Sequence, residues 1–178
     1  MSGTTGTSSR RKFYGKYKGV VESNVDADRS GRLLVSVPDA LGSDPCIWAE
    51  SASPLAGTGM GLYFVPPIGS GVWIEFQQGD SDFAMWTGCW RGSSADVPVL
   101  ANSAPPEPPP IVLGSNLGNS IVISDVPGPT GGISIISNTG AAILINDAGI
   151  TISNGKGAMI TLMGTAVDIN TGGLTVLK

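Results

Sequence analysis

From residue 111 onward the chain repeats one small device: two aliphatic residues standing two apart, then a corner of Gly, Asn or Asp. The pairs are Ile121/Ile123, Ile133/Ile135, Ile143/Ile145, Ile150/Ile152, Ile160/Leu162, Val167/Ile169 and Leu174/Val176. Their first members stand 12, 10, 7, 10, 7 and 7 residues apart. A spacing of two puts both side chains on one face of a strand. The corners, such as Asn138-Thr139-Gly140, Asp147-Ala148-Gly149 and Asn170-Thr171-Gly172-Gly173, use residues that accept positive φ. Short strands with such corners at a recurring spacing predict a β-solenoid over 111–178.

Each of these strands offers one narrow apolar face. One face in a chain this thin does not offset the entropy of ordering the backbone, and a lone chain cannot close a core around it. Three chains wound about one axis bury the faces against each other, complete the hydrogen-bond ladder and remove open edges. The fourteen pair residues are therefore the predicted core of a homotrimer. The absence of aromatic residues after Trp90 fits an axis that accepts Ile, Val and Leu. The alternative is a single-chain β-helix, which normally needs longer and more numerous coils. Amyloid-like stacking is disfavoured by the regular Gly and Asn corners.

Composition changes near residue 92, and such a shift marks a domain boundary. Every aromatic residue, from Phe13 to Trp90, lies before it, with most of the charges. Gly and Pro are abundant, at 26 and 13, yet a 41 % hydrophobic content argues against disorder. Residues 1–9 read as a mobile terminus. Residues 10–92 carry five strand signals, at 17–22, 32–37, 61–65, 71–76 and 83–90, and the turn Asp26–Gly31. No helix is evident. Five short strands in such a span predict an OB-type Greek-key barrel. Residues 93–110 read as a Pro-rich linker, extended and stiff, with an SH3-like partner as the alternative use. The expected fold is all-β: an OB-type barrel, then an intertwined triple-stranded β-helix over 111–178, a trimeric prism.

Several functions are disfavoured. The net charge is −4 and there is no histidine, so no global basic footprint for nucleic acid exists. The local cluster Arg10, Arg11, Lys12, Lys16 and Lys18 reads as a solvated opening segment or a protein contact. Cys46 and Cys89 are too few for a disulfide framework and read as free, mostly buried thiols. No signal-peptide core and no run of ~18 apolar residues is present, so the chain is expected to be made in the cytosol. Without histidine the catalytic candidates shrink to carboxylates and cysteines, and the cluster Glu75, Asp80 and Asp82 near Gly79 suggests a carboxylate pair of the glycosidase kind. Asp80-Ser81-Asp82 sits in a turn, where Asp bonds backbone amides. No metal-ligand spacing appears, and no catalytic residue, metal or cofactor is expected. A further class is an OB module binding single-stranded nucleic acid or saccharide on Trp73, Trp86 and Trp90. Their apolar neighbours favour barrel packing instead.

Three stretches carry a family resemblance. Phe13–Val21 looks like the opening strand of phage baseplate assembly protein V and its relatives, and Gly31–Gly42 is similar to the next strand and turn. Pro66–Gly92 resembles the barrel signature shared by contractile-phage spikes, VgrG proteins of type VI secretion and extracellular contractile injection systems. Its marks here are Pro66, Gly69, Val72, Trp73, Glu75, Phe76, Gly79, Asp80, Trp86 and Gly88. Asn154–Gly164 is similar to the needle of those spikes.

The resemblance implies a structural central spike at the baseplate of a phage-like particle. The barrel abuts a hub, the needle points at the target envelope, and sheath contraction drives it outward. The membrane is touched only transiently, and the action is mechanical. Two departures matter. VgrG proteins carry the hub in the same chain, whereas only about a dozen residues precede the barrel here, so a separate hub protein is expected. Some spikes end in an iron-binding His-x-His, which is missing. Leu174, Val176, Leu177 and Lys178 form an expected platform for a PAAR-type tip protein, the alternative being a last rung with nothing attached.

Overall fold

A computed structural model describes residues 11–43, 45–102 and 104–177, with residues 175–177 described by backbone alone. The expected mobile terminus 1–9, Arg10 and Lys178 lie outside the described residues. The chain divides into two compact units, the first closing at Gly92 and the second opening at Ser93.

The first unit is a closed barrel of β1 (Tyr17–Ser23), β2 (Leu33–Ser36), β3 (Cys46–Ser51), β7 (Ala84–Cys89) and β6 (Gly71–Phe76), in that order. β3 and β7 run parallel and all other neighbours are antiparallel. Five strands closed in a Greek-key order make an OB-type barrel. The period of two explains its core. Leu33 and Val35 of β2, and Val72, Ile74 and Phe76 of β6, point inward between outward neighbours. With Val21, Ala49, Ala84 and Trp86 they fill the interior. Pro38 opens α1 (Pro38–Leu41), a single turn after β2, at a helix position that needs no N–H.

The structure corrects one strand. Residues 62–65 form no strand, although Leu62, Tyr63, Phe64 and Val65 have high strand propensity. The third barrel strand is β3, whose only fully buried residue is Ala49. It lacks a clean alternation, and its parallel partner lies far along the chain. The segment between β3 and β6 instead carries a small hairpin of β4 (Ala56–Gly57) and β5 (Met60–Gly61), paired only with each other.

The second unit opens with a one-turn helix over Ser94–Asp96, held by a Ser93–Asp96 capping box, and then α2 (Val99–Asn102). The expected stiff, extended linker is therefore partly folded into turns. Its main body is a sheet of eight strands. They are β8 (Ile111–Gly114), β9 (Ser120–Ser124), β10 (Gly132–Ile136), β11 (Ala142–Asn146), β12 (Gly149–Ser153), β13 (Met159–Met163), β14 (Ala166–Ile169) and β15 (Leu174–Leu177). Each strand is antiparallel to the next. The corners close hairpins, the tightest being Asp147-Ala148 and Gly164-Thr165. Turns this short join antiparallel neighbours. The ladder expected to close between chains is thus completed within each chain, except along the outer edges of β8 and β15.

Candidate functional site

Register turns the aliphatic pairs into two columns. One runs Ile111, Ile123, Ile133, Ile145, Ile150, Leu162, Val167, Val176 by direct partners across neighbouring strands. The other runs Leu113, Ile121, Ile135, Ile143, Ile152, Ile160, Ile169, Leu174. All fourteen predicted core residues lie in these columns. β8 adds Ile111 and Leu113, which the sequence reading missed because they follow directly on the Pro run. A one-residue slip anywhere would turn the remaining strands over, so the continuity of both columns fixes the register.

The columns stay uncovered within one chain: Ile133 is 42 % exposed, Ile143 39 % and Ile160 38 %. On the opposite face, Val112, Val122, Ser134 and Leu144 are half-buried. Val122 and Leu144 share a groove with Leu100, Pro105 and Pro110, so the unit covers part of that face itself. At the sheet's margins the corners are stapled rung to rung. Asn138 N–H donates to Asn119 Oδ1 at 3.1 Å, Gly128 N–H to Asp147 Oδ2 at 2.7 Å, and Met159 N–H to Asn170 Oδ1 at 3.0 Å. Gly155 is required at one such margin, because a Cβ there would stand 2.5 Å from the Gly140 carbonyl carbon. A rigid sheet therefore presents one continuous, uncharged aliphatic face.

Residues 110–175 match the model of the phage baseplate V C-terminal trimerisation domain, and residues 17–90 match that of the type VI secretion system/phage-baseplate injector OB domain. The chain belongs to the phage baseplate V family of spike proteins. It is a homotrimeric, structural component of a phage-like baseplate, and both matched domains are structural rather than enzymatic. No curated protein matches it.

In this baseplate V chain the barrel signature frames the β6–β7 hairpin and its approach. Pro66 is buried and its carbonyl accepts from Asn24 Nδ2 at 3.0 Å. Gly69 N–H donates to Val21 O at 2.8 Å. Val72 and Phe76 are core, while Trp73 lies half-buried on the outer side. Gly79 holds a φ of 74° and its carbonyl accepts from Phe13 N–H at 2.9 Å, tying the opening segment to the barrel. Trp86 fills the interior and its indole N–H donates to Gly31 O at 3.0 Å. Gly88, beyond it, takes a φ of 148°. A buried, bonded Trp86 presents no stacking face to a base or a sugar. Trp90 is likewise engaged, donating to Gly19 O at 3.2 Å beneath the Lys18 ammonium.

The charged candidates have partners. Lys16 pairs with Glu75 and donates to Thr87 Oγ1 at 2.8 Å. Lys12 lies 3.7 Å from Asp80, and Arg11 stacks on Phe13. Asp82 N–H donates to Asp80 Oδ1, the backbone role expected of this turn. Among the described residues no three His, Cys, Asp or Glu converge as a metal site, and no helix is long and apolar enough to cross a membrane. Cys46 and Cys89 are exposed, contrary to the expected burial, because each lies at the end of a barrel strand.

Sequence reasoning read Asp26 only as a turn residue. Its buried carboxylate is a hub: it accepts from Arg32 Nη2 at 2.7 Å, Ser30 Oγ at 2.7 Å and Ser30 N–H at 2.9 Å. The Arg32 guanidinium holds this carboxyl well below the ordinary range. The signal available in advance was the spacing Asp26-x-Asp28-x-Ser30-x-Arg32, which places polar groups on one side of a tight turn.

Proposed function

We propose that the chain is the central spike that carries the tube of a contractile injection system through a target envelope. The observation supporting this reading is the pair of unbroken aliphatic columns on one face of a self-paired sheet. Three such faces turned to a common axis bury the exposed Ile residues of both columns at once, and the sheet's own hydrogen bonds remain intact. With strands about 4.8 Å apart and residues rising about 3.3 Å, each face is roughly 35 Å long and 15 Å wide. That is a slender prism of packed aliphatic rungs, stiff along its axis.

In this reading a hub protein joins the barrel and a PAAR-type tip protein sits on β15. Among the described residues no further strand pairs with the outer edge of β15, and such edges are covered in working assemblies. Sheath contraction supplies the energy, and the chain contributes rigidity rather than chemistry. The chain is made in the cytosol and meets the target membrane only during the stroke.

Solution mass tests the reading. Light scattering at micromolar concentration is expected to give three times the 18.1 kDa chain mass, with resistance to SDS. A single-chain mass would refute the prism. For the stroke, particles assembled with the spike truncated before β11 are expected to contract yet leave target vesicles sealed. Unchanged vesicle leakage would remove the piercing role.

A further inference from the structure

The C-terminal sheet is apolar on both faces over its first half and on one face over its second. Residues that alternate with the two aliphatic columns point the other way. Direct partners across neighbouring strands join them into a third column. It runs Val112, Val122, Ser134, Leu144, and then Thr151, Thr161, Asp168, Thr175. Its change from mainly aliphatic to polar falls between β11 and β12. Ile136, on the same face, belongs to the aliphatic half.

A segment of the same unit stops at the same place. Residues 98–102 and 104–110 lie over this face as a strap. Pro98 stands over β8, where a Cβ on Gly114 would meet Pro98 Cβ at 4.0 Å. Leu100, Pro105 and Pro110 face Val122, Ile136 and Leu144 across one groove, and no residue of β12–β15 lines it. Ser120, the register partner of Gly114, is the one buried residue among the described residues of the sheet. The strap keeps its own shape: Ala101 N–H and Asn102 N–H both donate to Pro98 O, at 2.9 and 3.0 Å. Its prolines restrict the free chain as well, which lowers the entropy lost on lying flat. Residues 91–109 fall between the two spans that match family models.

A sheet with two apolar faces has two ways to meet other copies, and specificity then requires that one be blocked. The Ile columns give the closed three-fold prism. The face of Val112, Val122 and Leu144 points outward in that prism, where an uncovered aliphatic patch would join one trimer to the next. The strap belongs to the same chain, so it competes for that face at an effective concentration that a second particle does not reach. From β12 onward the column is polar, no cover is needed, and the strap does not extend there.

We infer that the strap is a built-in guard, which occupies the outward aliphatic face of β8–β11 and leaves the Ile face as the one through which copies assemble. The inference rests on the trimer reading above and adds to it the device that decides which face is used.

The full-length chain tests this. Leu100→Asp, at a position 40 % exposed, puts a charge against the groove and lifts the strap. Light scattering is expected to find trimers joined into larger multiples of three chains, and bis-ANS fluorescence is expected to rise severalfold. Adding Val122→Thr and Leu144→Thr, which makes the third column polar from β9 onward, is expected to return both readings to those of the unmodified protein. A strap variant that stays a single trimer with the dye silent overturns the guard and leaves the prism standing. Larger assemblies that the two Thr substitutions do not reverse use another surface and overturn it too. Should Leu100→Asp abolish the trimer altogether, the unmodified protein decides. Amide exchange at Ala101 and Asn102 is expected to run at least about tenfold slower than in an unstructured peptide. Exchange at the unstructured rate in an intact trimer overturns the guard. A single-chain mass for the unmodified protein refutes the prism first and this inference with it.

Discussion

The barrel buries its aliphatic residues inside its own chain, whereas the C-terminal sheet leaves them at its surface. Leu33, Val35, Val72 and Ile74 are fully buried, while Ile121, Ile135, Ile145 and Ile152 are all more than two-fifths exposed. Both units use period-two strands rich in the same residues, and in both each strand pairs with neighbours of its own chain. The difference is closure. β1 pairs with β6 and the barrel curls on itself, so one face becomes an interior. The eight-strand sheet never meets its own edge, so its aliphatic face waits for other copies. The first unit closes its core within one chain, whereas the aliphatic face of the second is covered only by assembly.

The largest expected effect comes from breaking the second half of this comparison. Ile143→Asp with Ile152→Asp puts two carboxylates per chain on the shared face, and each buried unpaired charge costs several kcal/mol. Light scattering should then report single chains, while tryptophan fluorescence stays native, since all four Trp lie in the barrel. A surviving trimer would show that the columns are not the interface.

Leu33→Ala probes the first half. It empties a fully buried site and is expected to cost about 2–5 kcal/mol of barrel stability by urea melts followed through Trp fluorescence. The trimer's mass should not change. Loss of both together would mean that the units are not energetically separate.

Asp26→Asn gives a smaller effect with a distinctive pH profile. The carboxyl's value is lowered in the folded chain, so its stabilisation is complete above the unfolded value of about 3.9 and is lost as pH falls below it. Wild-type barrel melting temperatures should therefore drop in acid more steeply than those of the Asn variant, whose stability is already lower at pH 7. Parallel acid profiles would contradict the role assigned to this carboxylate.

The smallest effect is a gain. Ser120 is buried in β9 and its Oγ has no hydrogen-bond partner among the described residues. Ser120→Ala is expected to stabilise the second unit by about 1 kcal/mol in thermal melts of the trimer. A loss of stability would show that the hydroxyl is used in the assembled state.

Much of this was written locally. The spacing of Ile133/Ile135 or Ile150/Ile152 already decides which side of a strand is apolar, because successive side chains alternate. The corners at Asn138–Gly140 and Asp147-Ala148 set where strands stop. Both are short-range properties, and so is the β6–β7 signature around Gly79. Tertiary structure decided the rest. β3 became a barrel strand because β7 lies beside it in parallel, a partner that no local pattern names. Leu62–Phe64, with stronger strand propensity, were left outside because the barrel was already closed. Asp26 acquired its role from groups folded around it. Pairing the corners as hairpins, rather than as the turns of a wound coil, followed from which neighbour each strand met. Local spacing fixes the face a residue presents. What lies against that face depends on contacts distant in sequence.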